Sequence, residues 1–313
     1  MKKILARILA LAIVVTAGIS VYAYVGTAPE TTEPSSQSSR SETVSKTRVE
    51  VNTEPVSEQK QEVRAAPEAI PASFSSVQDE IIYKMLNSMD YFTTAQVRFS
   101  AVFPGFDVAQ DYTIETNMDT GVSHQTCSDN FMETCSADKR EAYETYADGA
   151  VVREYNNLAR TVRTMYAVEE KRALAEEFPD LEERYYVDEN GDANYCYRGN
   201  PTNADMAGEC LLPQVSAFAY LLDKDLWEVV ETVEYCGREC YSIEGTVNDS
   251  YSAQIGADTF MMYVDQKTGV LLKLEAYDET GTIASSMVVS EISIDAPMTR
   301  GSFEYDMSKY EGY

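Results

Sequence analysis

Six cysteines and one histidine are the residues of this chain best suited to covalent or metal chemistry. Cys127, Cys135, Cys196, Cys210, Cys236 and Cys240 fall into three groups, C-x7-C, C-x13-C and C-x3-C. An even set of cysteines downstream of an export-type leader predicts disulfide bonds. Spacing does not choose among the pairings; nearest-neighbour pairing would staple three local loops, at roughly 2–3 kcal/mol each. A structural zinc site needs cysteines about two to four residues apart, joined by further Cys or His. Only Cys236 and Cys240 are that close, and His124 is distant in sequence. The run Cys236-Gly237-Arg238-Glu239-Cys240 is also one residue longer than the C-x-x-C of thiol–disulfide enzymes, and it lies between strand-like runs instead of at a helix start.

Other chemistry lacks its parts. One histidine and no G-x-S-x-G leave the common hydrolase arrangements incomplete. Neither a phosphate-binding G-x-x-x-x-G-K-[ST] loop nor a dinucleotide fingerprint is present. Asp188, Asn190 and Asp192 are spaced like the start of a calcium loop, but Ala193 stands where that loop needs Gly and Gly199 where it needs Glu. A polar turn explains the run. The expectation is a protein without enzymatic activity, cofactor or resident metal.

The formal charge of −27 over 313 residues is strongly partitioned. Residues 1–75 hold eight basic and eight acidic residues; residues 76–313 hold 17 basic and 44 acidic ones. So acidic a region excludes nucleic acid, which demands clustered Lys and Arg. Docking on anionic lipid headgroups is disfavoured for the same reason.

Lys2, Lys3 and Arg7 precede an uncharged, mainly apolar run. This pattern, over residues 1–25, predicts either a cleaved signal peptide, with Val21-Tyr22-Ala23 fitting the cleavage site, or a single uncut membrane anchor. Residues 26–75 are rich in Thr, Ser, Glu and Pro and read as a disordered linker. The location expected is extracytoplasmic, secreted or held at the cell membrane by the leader.

From residue 76 the pattern becomes that of a folded domain, expected over 76–298 with a polar, Tyr-rich tail at 299–313. Ser75 or Ser76 can cap a helix whose stripe is Val77, Ile81, Met85 and Met89. From Ala95 the period becomes two, and turns at Asp119-Thr120-Gly121, Asp148-Gly149, Asn190-Gly191, Asp265 to Gly269 and Asp278 to Gly281 punctuate an antiparallel meander. Helices are expected at 167–178 and 212–222. The fold class is α+β, mainly antiparallel β.

The segment Phe260-Met-Met-Tyr-Val-Asp-Gln-Lys-Thr-Gly-Val-Leu-Leu-Lys-Leu-Glu-Ala-Tyr-Asp-Glu-Thr-Gly281 resembles the strand–turn–strand signature of the LolA-like superfamily, and Cys240-Tyr-Ser-Ile-Glu244 looks like its preceding strand. That group comprises lipoprotein carriers, lipid-binding lipoproteins and RseB-type regulators of anti-sigma factors. The candidate anchor and stalk look more like its anchored Gram-positive members. The resemblance implies a curved, incomplete β-barrel with covering helices. Its concave face would hold a lipid, an acyl chain or an apolar partner segment, and Val97, Phe99, Ile114, Met262, Leu272 and Leu274 are the candidates to line it. The alternative role is a membrane-anchored regulatory ectodomain acting through an envelope protein partner.

Overall fold

The computed structural model describes residues 74–103, 108–129, 142–157, 159–166, 184–187, 193–298 and 310–312. The expected leader, nearly all of the linker, the helix at 167–178, Cys135 and the run from Asp188 to Asp192 lie outside these residues. Among the described residues no helix is long and apolar enough to cross a membrane.

Helix α1 (Val77–Leu86) starts at Ser76, whose hydroxyl accepts the Asp79 N–H at 3.1 Å. Asp79 and Glu80 occupy its first turn and Lys84 its last, which suits the helix dipole. Ile81, Ile82, Met85 and Leu86 form its buried face. The helix is shorter than the apolar stripe suggests. Asn87 folds its amide back to the Tyr83 carbonyl, and Ser88–Asp90 continue as a 3-10 turn that still buries Met89.

β1 (Thr94–Phe103), β2 (Val108–Asn117), β3 (Val122–Asp129), β4 (Ala142–Asp148), β5 (Val151–Asn156) and β6 (Thr161–Tyr166) form a first meander. A ribbon of β7 (Tyr185–Val187) and β8 (Ala193–Tyr195) follows, then α2 (Ala207–Cys210) and α3 (Gln214–Leu221). The second meander is β9 (Trp227–Tyr235), β10 (Arg238–Thr246), helix α4 (Asp249–Ile255), β11 (Thr259–Asp265), β12 (Leu271–Tyr277) and β13 (Ile283–Ile294). β13 pairs with β1 and so joins the two meanders into one sheet, ordered β6-β5-β4-β3-β2-β1-β13-β12-β11-β10-β9. These eleven strands are antiparallel throughout. The tail adds β14 (Glu311–Gly312), which runs parallel to β6 beside Thr161 and Val162. The sheet does not close: among the described residues β9 pairs only with β10, and β14 only with β6.

Curvature is concentrated in the second meander. The ladders from β1 to β6 keep register, whereas β13, β9 and β12 each carry irregularities, with Ser290, Val230 and Leu272 as extra residues opposite their partners. A bulge bends its strand and increases twist. The consequence is visible at the end of β9, where the Tyr235 hydroxyl donates to the Val289 carbonyl of β13 at 2.8 Å, although three strands separate β9 from β13 in the sheet. The architecture is therefore an incomplete, curved barrel.

Helices α1 and α3 cover one face. Gln78 of α1 donates to the Lys224 and Trp227 carbonyls at 2.9 and 3.0 Å, and the Trp227 indole donates to the Leu221 carbonyl at 3.0 Å. Between 198 and 212 the chain lies against the same face further along. Thr202 accepts from Ser123 at 2.7 Å, and Gln125 accepts from the Met206 N–H at 3.1 Å. Apolar residues of α1, α3 and this segment share one core with those of β1, β2 and β10–β13.

Candidate functional site

Val97, Ile114 and Ile292 are cross-strand neighbours, as are Phe99, Tyr112 and Val289. Met262, Leu274 and Met287 make a similar row, and Met287 pairs with Ala101 to connect the two groups. Of the six candidate residues, Val97, Phe99, Ile114, Met262 and Leu274 lie in these rows, and Leu272 is the extra residue of β12. Five of them are closed over: Val97 and Phe99 are 2% exposed, and Ile114, Met262 and Leu272 are 0%. Leu274 is partly buried and packs on the same core. Phe99 stacks on Tyr112 with ring centroids 4.8 Å apart. These positions belong to the same buried core as residues of α1 and α3.

An open depression of about 430 Å³ lies elsewhere, over β10, β11 and β12. Glu244, Gly245, Thr259, Phe260, Met261 and Tyr277 line it. Gly245 lets Trp227 and Phe260 pack closely at its floor, because a Cβ would sit 2.6 Å from Trp227 Cβ and 2.7 Å from the Phe260 ring. The Tyr277 hydroxyl donates to Glu275 at 2.5 Å. Burial, and next the Glu275 carboxylate, push its pKa up to about 12. The depression offers mixed polar and apolar contact and is large enough for a partner's side chain. Sequence reading missed it, because Glu244, Thr259 and Met261 belong to the face that alternation assigns to solvent.

A second arrangement is largely internal. Arg184 and Arg198 are 2% and 3% exposed. Asn87 Oδ1 accepts from both, at 3.2 and 3.0 Å, and Gln214 Oε1 accepts from Arg184 Nη2 at 2.8 Å. Asp90 receives Arg198 in a two-pronged ion pair of 2.6 and 2.8 Å. Burial, and then the neighbouring Arg198, bring the Arg184 guanidinium down to about 10. This network ties the 3-10 turn, the ribbon and α3 together.

His124 stacks on Tyr146, with ring centroids 4.3 Å apart and planes 3° from parallel. Burial lowers its pKa. The folded state therefore binds a proton less readily than the unfolded chain. The stability linked to His124 is complete above its unfolded pKa of about 6.5 and is lost as pH falls through the lower folded value. Because the chain has one histidine, a proton NMR titration reads it without assignment. The expected midpoint is below 6.5; a midpoint at or above that value would show the ring is not desolvated.

Among the described residues, Cys196, Cys210, Cys236 and Cys240 are free cysteines, with Cys210 and Cys240 buried. Burial raises the Cys210 thiol, helped by Glu209. No group of three or more His, Cys, Asp or Glu among the described residues is placed to hold a metal ion.

No protein-family model matches the sequence, and no curated protein does. Solved structures similar to it include the Pseudomonas aeruginosa MucA/MucB complex, at 14% identity and a TM-score of 0.38, covering 74% of this chain and 62% of that one. Another is the Mycobacterium tuberculosis lipoprotein LppX, at 9% identity and 0.34, covering 72% and 99%. A third is a putative outer membrane lipoprotein-sorting domain from Vibrio parahaemolyticus, at 8% and 0.25, covering 74% and 97%. At such identities and scores the likeness says nothing about what this chain binds.

Proposed function

We propose that this chain is an extracytoplasmic, non-enzymatic binding domain that works by contact with a partner protein. The observation behind this reading is the closed helix-covered face. A carrier of lipid inside the sheet needs an apolar concavity, and the residues suited to line one are at most 2% exposed for five of six positions. The depression over β10–β12 remains open to a partner. The basic, then apolar run at residues 1–25 supports a location outside the cytoplasm. The charge of residues 76–313 favours a partner surface of positive character.

A second reading, an acyl chain held beneath α1 and α3, is favoured by the apolar character of that face and requires the helices to lift. Native mass spectrometry of the full chain purified from its cell envelope separates the two. The expected spectrum shows protein without lipid. A stoichiometric lipid adduct, lost on organic extraction, would overturn the partner reading.

A further inference from the structure

β9 lies at one end of the sheet. It pairs with β10 on one side, and among the described residues nothing pairs with it on the other. The two-residue turn at Cys236 and Gly237 fixes which main-chain groups are left over. Tyr235 and Arg238 flank that turn and exchange hydrogen bonds, as the closing pair of a two-residue hairpin does. Bonded and unbonded pairs alternate along an antiparallel ladder. Val233 and Glu231 therefore turn their N–H and C=O toward β10, whereas Glu234 and Thr232 turn theirs outward. Glu239, opposite Glu234, obeys the same rule: its carbonyl faces away from β9 and accepts the Gln266 N–H at 3.0 Å. Beyond Glu231 the bulge at Val230 interrupts the ladder. The edge is also acidic. β9 carries Glu228, Glu231 and Glu234 and no basic residue. Glu228 stands opposite Glu244, and Glu234 opposite Glu239; like charges so placed destabilise a sheet. Among the described residues none of these carboxylates makes an ion pair. The basic residue of β10, Arg238, is taken by Asp265 at 2.9 and 2.8 Å.

We propose that the free edge of β9 is a docking site for an extended, basic segment of a partner protein, which adds to the sheet as a further strand. This rests on the partner reading above and names its surface. Main-chain bonds to Thr232 and Glu234 supply the attachment, as in other strand additions. Glu231 and Glu234 are three residues apart and so lie on opposite faces of β9. A segment with Lys or Arg three residues apart meets both, with an apolar residue opposite Val233. The incoming bases offset the repulsion within the Glu234–Glu239 pair, which nothing in the isolated chain does. The same charge turns away the other occupant that an open edge invites, a second copy of this chain. Antiparallel β9 strands centred on Glu231 would set Glu231 against itself and Glu228 against Glu234, a known way for an edge to avoid self-pairing. Glu244 connects the edge with the depression, since it lines the depression and faces Glu228.

Hydrogen–deuterium exchange of the full chain, read amide by amide, tests this with a capped peptide of Thr-Lys-Val repeats as the probe. With peptide at about ten times its Kd, the Thr232 and Glu234 amides are expected to exchange about tenfold more slowly. The same peptide with Glu in place of Lys is expected to leave both unchanged. In the double variant Glu231→Lys with Glu234→Lys the two peptides are expected to swap effects. Thr232→Pro, which an edge tolerates where the N–H faces solvent, is expected to abolish the slowing at Glu234. Should a variant fail to fold, the two peptides on the native sequence decide the matter alone. Equal slowing by both peptides, or no slowing of either amide up to the solubility limit of the Lys peptide, would overturn the proposal. Slowing confined to Met261 and Tyr277 in the depression would overturn it while leaving the partner reading in place. A stoichiometric lipid adduct in the native spectrum would remove that reading and this one with it.

Discussion

Replacing Asp90 by alanine lowers the unfolding free energy by about 3–5 kcal/mol. Asp90 is the carboxylate that receives Arg198, whose side chain is 1% exposed, through both of its oxygens. Taking it away removes that carboxylate from a buried guanidinium that lies beside a second one, Arg184. The Coulomb attraction that offset burial of Arg198 goes, and the desolvation cost stays. A double-mutant cycle isolates the pair. Arg198→Met alone strands Asp90, which is less buried, at 17% exposure, and is therefore the milder change. Asp90→Ala with Arg198→Met is expected to be less destabilised than the two single losses added together. Urea unfolding followed through the single tryptophan, Trp227, measures all three, because that indole is 4% exposed when folded. A loss below about 1 kcal/mol for Asp90→Ala, the range of exposed ion pairs, would show that water reaches the network.

That network marks where sequence reading stopped. Asn87 and Asp90 stand about a hundred residues from Arg184, Arg198 and Gln214, and each is of a type usually found at the surface. Nothing in spacing says that two arginines enter the interior; tertiary packing decides it. Elements with a local cause were legible. Ser76 caps α1 as its side chain suggests, and Asp148-Gly149 makes the β4–β5 turn, with Asp148 accepting the Ala150 and Val151 N–H groups. β3 escaped notice because Val122 to Asp129 has little apolar alternation, and it is a strand because β2 and β4 flank it. α4 escaped for its shortness, though Asn248 caps it by accepting the Tyr251 N–H. The bulges were illegible for a general reason. An extra residue such as Leu272 is as apolar as its neighbours, and only the partner strand reveals it.

The candidate lining shows the other side of this. Val97, Phe99, Ile114, Met262 and Leu274 lie in the cross-strand rows of one face, and period-two alternation suggests no more than that. It could not say whether that face is empty or covered, since both fates select the same residue types. The answer depends on α1, and α1 is brought down by the turn between β11 and β12. Asp265 accepts from Thr268 and holds the turn's shape, and Lys84 reaches back to the Gln266 carbonyl at 2.5 Å. Gly269 completes the contact by having no side chain.

Gly269→Ala is accordingly expected to cost about 2–5 kcal/mol, from the left-handed backbone and from overpacking. The residue has φ 73°, and a Cβ would run into the backbone of Lys84 and come 2.6 Å from Met85 N. Helix backbone cannot swing aside as a side chain can, so the last turn of α1 must lift. Gly281 supplies the control. Its φ is 78°, but nothing lies within 4 Å of its Cβ position, so Gly281→Ala carries the backbone strain alone, about 1–2 kcal/mol. The difference between the two losses, read by urea unfolding, measures how tightly α1 seals the apolar face. Equal losses would mean the helix rises freely from the sheet. The closed face would then be a lid at rest, and the reading in which an acyl chain enters beneath α1 would gain the support that the partner reading had lost.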